Sequence, residues 1–185
     1  QTQPEAFAFP LAIEVYEGEK PKRYEVWVDK KETQFSFNYA NMPDLVNVDA
    51  DRTLLAEWSD EKTLENLVHL YRFGSKYEDR REAIDKLAAM QQDEQAYAVL
   101  SSALSDSFYG LRILAIEKID LSQAGSKKPL KLIKDMASND EKTLVQAKAI
   151  SKLAEYNAEE FKDLYQKSMA SPSSAVRVSA LKALY

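Results

Sequence analysis

Apolar and polar residues alternate in short segments along the first 57 positions of this 185-residue chain. A period of two is typical of strands that bury one face. Turns are indicated by the stretch from Gly18 to Pro21, by the polar run 29–32 and by Pro43-Asp44. The pattern therefore predicts four strands, at about residues 11–16, 23–29, 34–39 and 43–49. Such a sheet needs a second layer over its apolar face.

From Trp58 onward the apolar residues recur every three or four positions, which predicts amphipathic helices. In the first helix these residues are Leu64, Leu67, Val68 and Tyr71. We predict that Ser59 or Asp60 caps this helix and that Gly74 follows its end as the C′ residue. The pattern predicts seven more helices, at about residues 79–91, 93–105, 108–121, 129–138, 141–156, 158–170 and 172–185. The eight helices form four consecutive pairs.

The second helix of each predicted pair repeats one pattern of side chains. An arginine or glutamine is followed three residues later by alanine, and the alanine is followed directly by isoleucine or leucine. The arginine position falls at residues 80, 112, 146 and 177, and the alanine at residues 83, 115, 149 and 180. Six residues before the arginine position stand Asp106 and Asp140 in the middle pairs, and Gly74 and Ser171 in the outer pairs. Such repetition indicates helix pairs that bury their apolar faces against one another.

The spacing Asp-x5-Arg that leads into an Ala-Leu helix resembles the HEAT repeat. The resemblance implies an α+β chain whose second part is an all-α, HEAT-like, right-handed α-α superhelix of four helix pairs. It also implies a ladder of ion pairs between neighbouring helix pairs, formed by Asp106, Arg112, Asp140 and Arg177. In this interpretation those side chains stabilise the repeat and do not contact a ligand.

Charge is unevenly distributed along the chain. The first 57 residues carry 6 basic and 11 acidic residues, whereas residues 58–185 carry 19 of each. A nucleic-acid-binding protein normally carries a basic stripe that neutralises phosphates, so we predict no nucleic acid partner. The chain has no cysteine. It also has no apolar run of the ~20 residues that a membrane-spanning helix needs, so we predict no membrane segment.

The residue types that carry catalysis are sparse. The only histidine is His69, whereas the zinc peptidase motif H-E-x-x-H needs two imidazoles on one helix face. The glycines are scattered, so the sequence has no phosphate-binding loop. Carboxylate pairs such as Glu159-Glu160 fall in first helical turns, where the helix dipole favours them. We predict no catalytic, cofactor or metal residue, and a hydrolase that uses His69 is kept as a hypothesis to be tested.

The β-rich segment contains the more specific motifs. Phe35-x-Phe37 is followed by Pro43-Asp44-x-Val46-x-Val48-Asp49 and then by Thr53-Leu54-Leu55. This series is similar to the end of the small β-sandwich domain in the aminopeptidase N family of zinc metallopeptidases. The stretches Gln1-Thr2-Gln3, Phe9-Pro10-Leu11-x-Ile13-x-Val15 and Val26-Trp27-Val28-Asp29 also fit that domain.

The resemblance implies two domains: an antiparallel β-sandwich portion at residues 1–57, incomplete at its N-terminus, and a HEAT-like helical domain at residues 58–185. Their partners would be the catalytic domain of the same polypeptide and its peptide substrates. The family's zinc belongs to that catalytic domain, with the motifs H-E-x-x-H and G-x-M-E-N, and neither motif occurs here. The resemblance therefore transfers no catalytic or metal residue. The bare ends of the chain also lead us to expect a piece of a longer polypeptide.

In that family the helical domain covers the peptide chamber beside the zinc site. One hypothesis is that Arg112, Lys148 and Arg177, on the second helices, face the chamber and attract peptide carboxylates. The predicted ladder competes for Arg112 and Arg177. The alternative to the whole assignment is a free-standing HEAT-type scaffold that binds a protein partner. It differs from the peptidase segment in expecting no H-E-x-x-H or G-x-M-E-N in the encoded polypeptide.

Overall fold

Three β-strands and eight α-helices make up the part of the chain that this computed structural model describes, residues 7–56, 59–123 and 125–185. The strands are β1 (Phe9–Glu17), β2 (Lys20–Val28) and β3 (Leu45–Val48). The helices are α1 (Leu64–Phe73), α2 (Tyr77–Ala88), α3 (Glu94–Ala103), α4 (Tyr109–Lys118), α5 (Lys127–Asn139), α6 (Thr143–Asn157), α7 (Lys162–Ser168) and α8 (Ser174–Leu184). The α+β class predicted from the sequence is confirmed, and each predicted helix forms.

The chain divides into two compact units, Gln1–Ala83 and Ile84–Tyr185. The first unit contains the sheet, α1 and the beginning of α2. The second contains the rest of α2 and helices α3 to α8. The boundary falls within α2, whereas the composition of the chain changes near Trp58. Helix α1 therefore belongs to the same unit as the sheet.

The sheet has the order β2-β1-β3, and β1 is antiparallel to both neighbours. Ile13 lies opposite Tyr24 on one side and opposite Val48 on the other. Gly18 lies in the tight turn between β1 and β2 with a φ of 76°, a conformation that glycine adopts without steric cost. The first, second and fourth predicted strands are thus present.

The predicted third strand, residues 34–39, is wrong, because this segment belongs to no strand of the sheet. Instead, Phe35, Phe37 and Tyr39 pack half-buried against the apolar core of β1. The Tyr39 hydroxyl donates to the Tyr24 hydroxyl at 2.9 Å, and the ring centroids of Phe37 and Tyr24 are 4.2 Å apart. Alternation reports which side chains are buried, and it does not by itself require a hydrogen-bonded neighbour. Here the alternating residues cover the sheet and do not extend it.

Helix α1 begins and ends differently from the prediction. Thr63 is its N-cap and forms a capping box with Asn66, each side chain accepting from the other's backbone N–H. Gly74 is the C-cap with a φ of −59°, so it does not use the left-handed region. A Cβ atom at Gly74 would lie 2.5 Å from the carbonyl oxygen of Leu70 and 2.7 Å from the Cβ of Asp79. Close packing, and not backbone conformation, requires this glycine.

In the second unit, α3 packs against α4, α5 against α6 and α7 against α8. The second helices also contact one another, α4 with α6 and α6 with α8. The alanines of the repeat in these helices, Ala115, Ala149 and Ala180, are fully buried. A side chain this small lets neighbouring helices approach closely, so three successive pairs stack through their second helices.

Candidate functional site

One hydrogen bond recurs in the three successive pairs of the second unit. The side chain at the arginine position donates to the backbone carbonyl six residues earlier. The bonds join Arg112 to Asp106 (2.9 Å), Gln146 to Asp140 (2.7 Å) and Arg177 to Ser171 (2.7 Å). The repeated side chain therefore closes the loop that leads into each second helix.

Arg112 also connects the second and third pairs. Its Nε donates to Oδ2 of Asp140 at 2.9 Å, and its Nη2 donates to Oδ1 at 2.8 Å. The two side chains are 9% and 7% exposed. The bidentate geometry is that of a strong, charge-assisted pair, and the bonds to Asp140 raise the pKa of Arg112. The charged guanidinium therefore contacts the carboxylate of the following helix pair.

The other two residues of the predicted ladder, Asp106 and Arg177, bond to backbone atoms close to them in sequence. The Asp106 carboxylate accepts from the backbone N–H of Phe108 at 2.8 Å. Arg177 is exposed and donates to the carbonyls of Ser171 and Pro172, at 2.7 and 2.9 Å. The structure therefore brings Arg112 and Asp140 together across a junction between pairs, and Arg177 remains bonded within its own pair.

A groove opens at the next junction, where the sequence lacks this ion pair. Gln146 stands at the arginine position of the third pair and Ser171 at the aspartate position of the fourth, and both line a groove of about 750 Å³. Its charged lining residues are Lys134, Glu160, Asp163 and Lys167. The Lys134 ammonium lies 5.6 Å from the centroid of the Phe161 ring in the same groove. The groove therefore offers both signs of charge beside an aromatic face.

Installing the missing pair should stabilise this junction. We expect Gln146→Arg combined with Ser171→Asp to raise the free energy of unfolding by about 1 kcal/mol, because a partly exposed bidentate pair replaces two neutral side chains. Urea denaturation of the double variant and of each single variant measures the effect. The gain should exceed the sum of the single effects, and simple additivity would contradict the expected bond.

Lys148, the third basic residue predicted to face a chamber, is bonded to a carboxylate. Its Nζ lies 2.8 Å from Glu117 of α4, and the hydrogen bond lowers the pKa of Glu117. Lys152, one turn further along α6, donates to the Glu117 carbonyl at 3.1 Å, and burial lowers the pKa of its ammonium. The two lysines therefore link α6 to α4.

A buried anion in the first unit was missed by the sequence analysis. Asp79 is fully buried, although the equivalent position in the other pairs is apolar. Those equivalent residues are Leu111, Val145 and Val176. The Asp79 carboxylate accepts from Nε and Nη2 of Arg52 at 2.9 and 2.7 Å, from Asn47 at 3.2 Å and from the Lys76 N–H at 3.1 Å. A charged residue at an apolar position of the repeat was the signal that could have identified it.

Arg52 reaches Asp79 from a turn that follows β3. Asp49 and Arg52 both have positive φ, 52° and 53°, and the Asp49 carboxylate accepts from the N–H of Thr53 at 3.2 Å. Burial opposes the charge on Arg52, but hydrogen bonds to Asp79 and Glu82 raise its pKa. The turn therefore presents a charged side chain to α2 within the first unit.

His69 lies in α1 among aromatic rings. Its ring centroid is 5.3 Å from that of Tyr16 and 4.7 Å from that of Phe73. The Nε2 atom is buried and has no hydrogen-bond partner among the described residues. These neighbours give the imidazole a packing role within the first unit.

The geometry defines a class: an α+β protein with a small sheet followed by helix pairs that stack through their second helices. Among the residues that the structure describes, no group of three or more histidine or carboxylate side chains is placed to hold a metal ion. Within the same residues, no helix is both long and apolar enough to span a bilayer. Comparisons of the chain with models of protein families, with curated proteins and with solved structures found no match.

Proposed function

We propose that this chain is a non-catalytic segment of a zinc-dependent aminopeptidase of the aminopeptidase N family, an enzyme that removes N-terminal residues from peptides. Residues 1–57 are a portion of its small β-sandwich, and residues 58–185 belong to its HEAT-like superhelix. The observation that carries the proposal is the order of features. The motif at residues 43–49 is followed by four helix pairs in one repeat phase.

The positions of the motif residues, in β3 and in the turn that follows it, support this proposal. Val46 and Val48 lie in β3, and Asp49 holds the turn that follows. That turn presents Arg52 to the buried Asp79 of α2. The motif therefore stands where the β-rich segment passes into the helix pairs, which is the place it occupies in the family it resembles.

In this proposal the segment takes no part in the chemistry and serves as a rigid cover. It contains one imidazole, so zinc and its ligands belong to the catalytic domain. The bond between Arg112 and Asp140 fixes the spacing of two neighbouring pairs, as a rigid cover over a peptide chamber requires. Of the three basic residues considered as chamber contacts, Arg112 is bonded to Asp140 and Lys148 to Glu117. Arg177 keeps an exposed guanidinium and is the best placed of the three to meet a peptide carboxylate.

The gene provides the decisive test. The frame upstream of the codon for Gln1 should encode both H-E-x-x-H and G-x-M-E-N. The purified 185-residue chain should hydrolyse aminoacyl anilides no faster than the background rate. An upstream frame without the two motifs would contradict the proposal, and so would a turnover that His69→Ala abolishes.

A free-standing scaffold that binds a protein partner is the second candidate. The groove of about 750 Å³ between the third and fourth pairs favours it, because the groove combines two lysines, two carboxylates and an aromatic ring. Pairing of Lys148 with Glu117 also weakens the attraction of α6 for free carboxylates. This candidate would be supported by an encoded protein that lacks both peptidase motifs.

A further inference from the structure

A lysine recurs in the second helices of the first three pairs, six residues after the arginine position. These lysines are Lys86, Lys118 and Lys152, and in the first two pairs an acidic residue, Asp85 or Glu117, directly precedes the lysine. The Nζ of Lys118 lies 2.9 Å from the carboxylate of Asp85, which belongs to the preceding pair. By the same register, the expected partner of Lys152 is the carboxylate of Glu117.

The Glu117 carboxylate is instead occupied by another lysine. Lys148, one turn earlier in α6, lies 2.8 Å from it. Lys152 donates to the backbone carbonyl of Glu117, at 3.1 Å. Among the residues that the structure describes, no carboxylate forms an ion pair with Lys152. Lys152 therefore lacks the bond to a carboxylate that its equivalent, Lys118, makes in the preceding pair.

Lys152 also lines a cavity of about 330 Å³ between the last turns of α6 and the segment that follows α4. The other lining residues are Asp120, Leu121, Ser122, Glu155 and Tyr156. Burial lowers the pKa of the Lys152 ammonium, although the carboxylates of Glu155 and Asp120 oppose this shift. The Asp120 carboxylate already accepts from the N–H and the hydroxyl of Ser122, at 2.8 and 2.7 Å. A partly desolvated lysine in a cavity is the usual source of a nucleophilic amine.

We propose that Lys152 is a covalent binding site for small neutral aldehydes, which its amine takes up as an imine inside this cavity. The ammonium first releases one proton to solvent, and the nitrogen lone pair then attacks the carbonyl carbon to form a carbinolamine. The carbinolamine loses its oxygen as water, which carries away the two remaining protons of the amine, and a carbon–nitrogen double bond forms.

The lining of the cavity indicates which aldehydes it accepts. The carboxylates of Asp120 and Glu155 disfavour an anionic ligand because like charges repel. The ring of Tyr156, which is exposed at the same cavity, offers an apolar surface. A neutral aromatic aldehyde therefore suits the site. The inference concerns the second unit and does not depend on the peptidase assignment, so either can fail alone.

The test is reductive trapping on the whole 185-residue chain at neutral pH. Benzaldehyde is the probe, and cyanoborohydride delivers hydride to the imine carbon and so converts the imine into a stable secondary amine. Mass spectrometry of peptic fragments measures the rate of labelling at each lysine. We expect Lys152 to be labelled at least tenfold faster than Lys118, its ion-paired equivalent. Equal rates at these two lysines overturn the inference.

A second probe tests whether the cavity selects the aldehyde. 4-Carboxybenzaldehyde keeps the ring of benzaldehyde and adds a negative charge. We expect the ratio of labelling at Lys152 to labelling at Lys118 to fall at least threefold with this probe. A ratio that is the same for both probes shows a reactive amine without a binding site, and it overturns the proposal.

Two variants test why the amine is reactive. Lys148→Ala frees the Glu117 carboxylate for Lys152 and should slow the labelling of Lys152 at least threefold. Lys162→Ala is the matched control, because it removes another lysine that is paired with a glutamate, Glu159, and it should leave the rate unchanged. Circular dichroism verifies that both variants keep their helices. An unchanged rate in Lys148→Ala, or an equal effect of Lys162→Ala, contradicts the proposal.

Discussion

Replacement of Asp79 by alanine should lower the free energy of unfolding by about 3–5 kcal/mol, because it removes one partner of a buried ion pair. The Asp79 side chain is fully buried and that of Arg52 is 17% exposed, so water replaces the lost carboxylate poorly. Arg52 keeps Glu82 as a partner, which favours the lower end of the range. Urea denaturation followed by circular dichroism measures the loss, and hydrogen exchange in α2 localises it.

Glu78→Ala is the matched control for this prediction. Glu78 is an exposed carboxylate one residue earlier in α2, so its removal should change stability by less than about 0.5 kcal/mol. Asp79→Leu combined with Arg52→Met removes both charges and restores the apolar residue of the other pairs. That double variant should recover most of the lost stability. If Asp79→Ala costs no more than Glu78→Ala, the buried pair does not stabilise the first unit.

Arg112→Ala should cost about 3 kcal/mol, since it leaves the nearly buried carboxylate of Asp140 without its bidentate partner. It also frees the Asp106 carbonyl that accepts from Nη1. The loss should appear in the helices of the second unit, where the bond joins two pairs. Urea denaturation measures its size, and hydrogen exchange in α4 and α6 shows its location.

Arg177→Ala is the internal control, because Arg177 makes the same bonds to backbone carbonyls without a carboxylate on its other edge. We expect it to cost less than about 1 kcal/mol. A double-mutant cycle between Arg112→Ala and Asp140→Ala should give a coupling energy of at least about 1.5 kcal/mol. Equal losses at positions 112 and 177 would refute a special role for the bond to Asp140.

The helices were predictable because their signal is local. Apolar residues at a period near 3.6 must lie on one face of a helix, and that face must be buried whatever packs against it. The resemblance to the HEAT repeat implied ion pairs between neighbouring helix pairs, and Arg112 and Asp140 form such a pair. The same resemblance implied Arg177 as a ladder residue. Arg177 forms no such ion pair among the described residues, because no described helix pair places a carboxylate beside its Nε and Nη2 atoms.

The sequence by itself determined the eight helices, the repeat phase and the absence of a second imidazole, since each depends on residue type and spacing along the chain. Only the tertiary structure decided that residues 34–39 cover the sheet, that Asp79 is neutralised by Arg52, and that a groove opens beside Gln146. These features depend on partners distant in sequence or on space left between side chains. Spacing along the chain does not predict which residues distant in sequence come into contact, because packing and the pairing of buried charges determine those contacts.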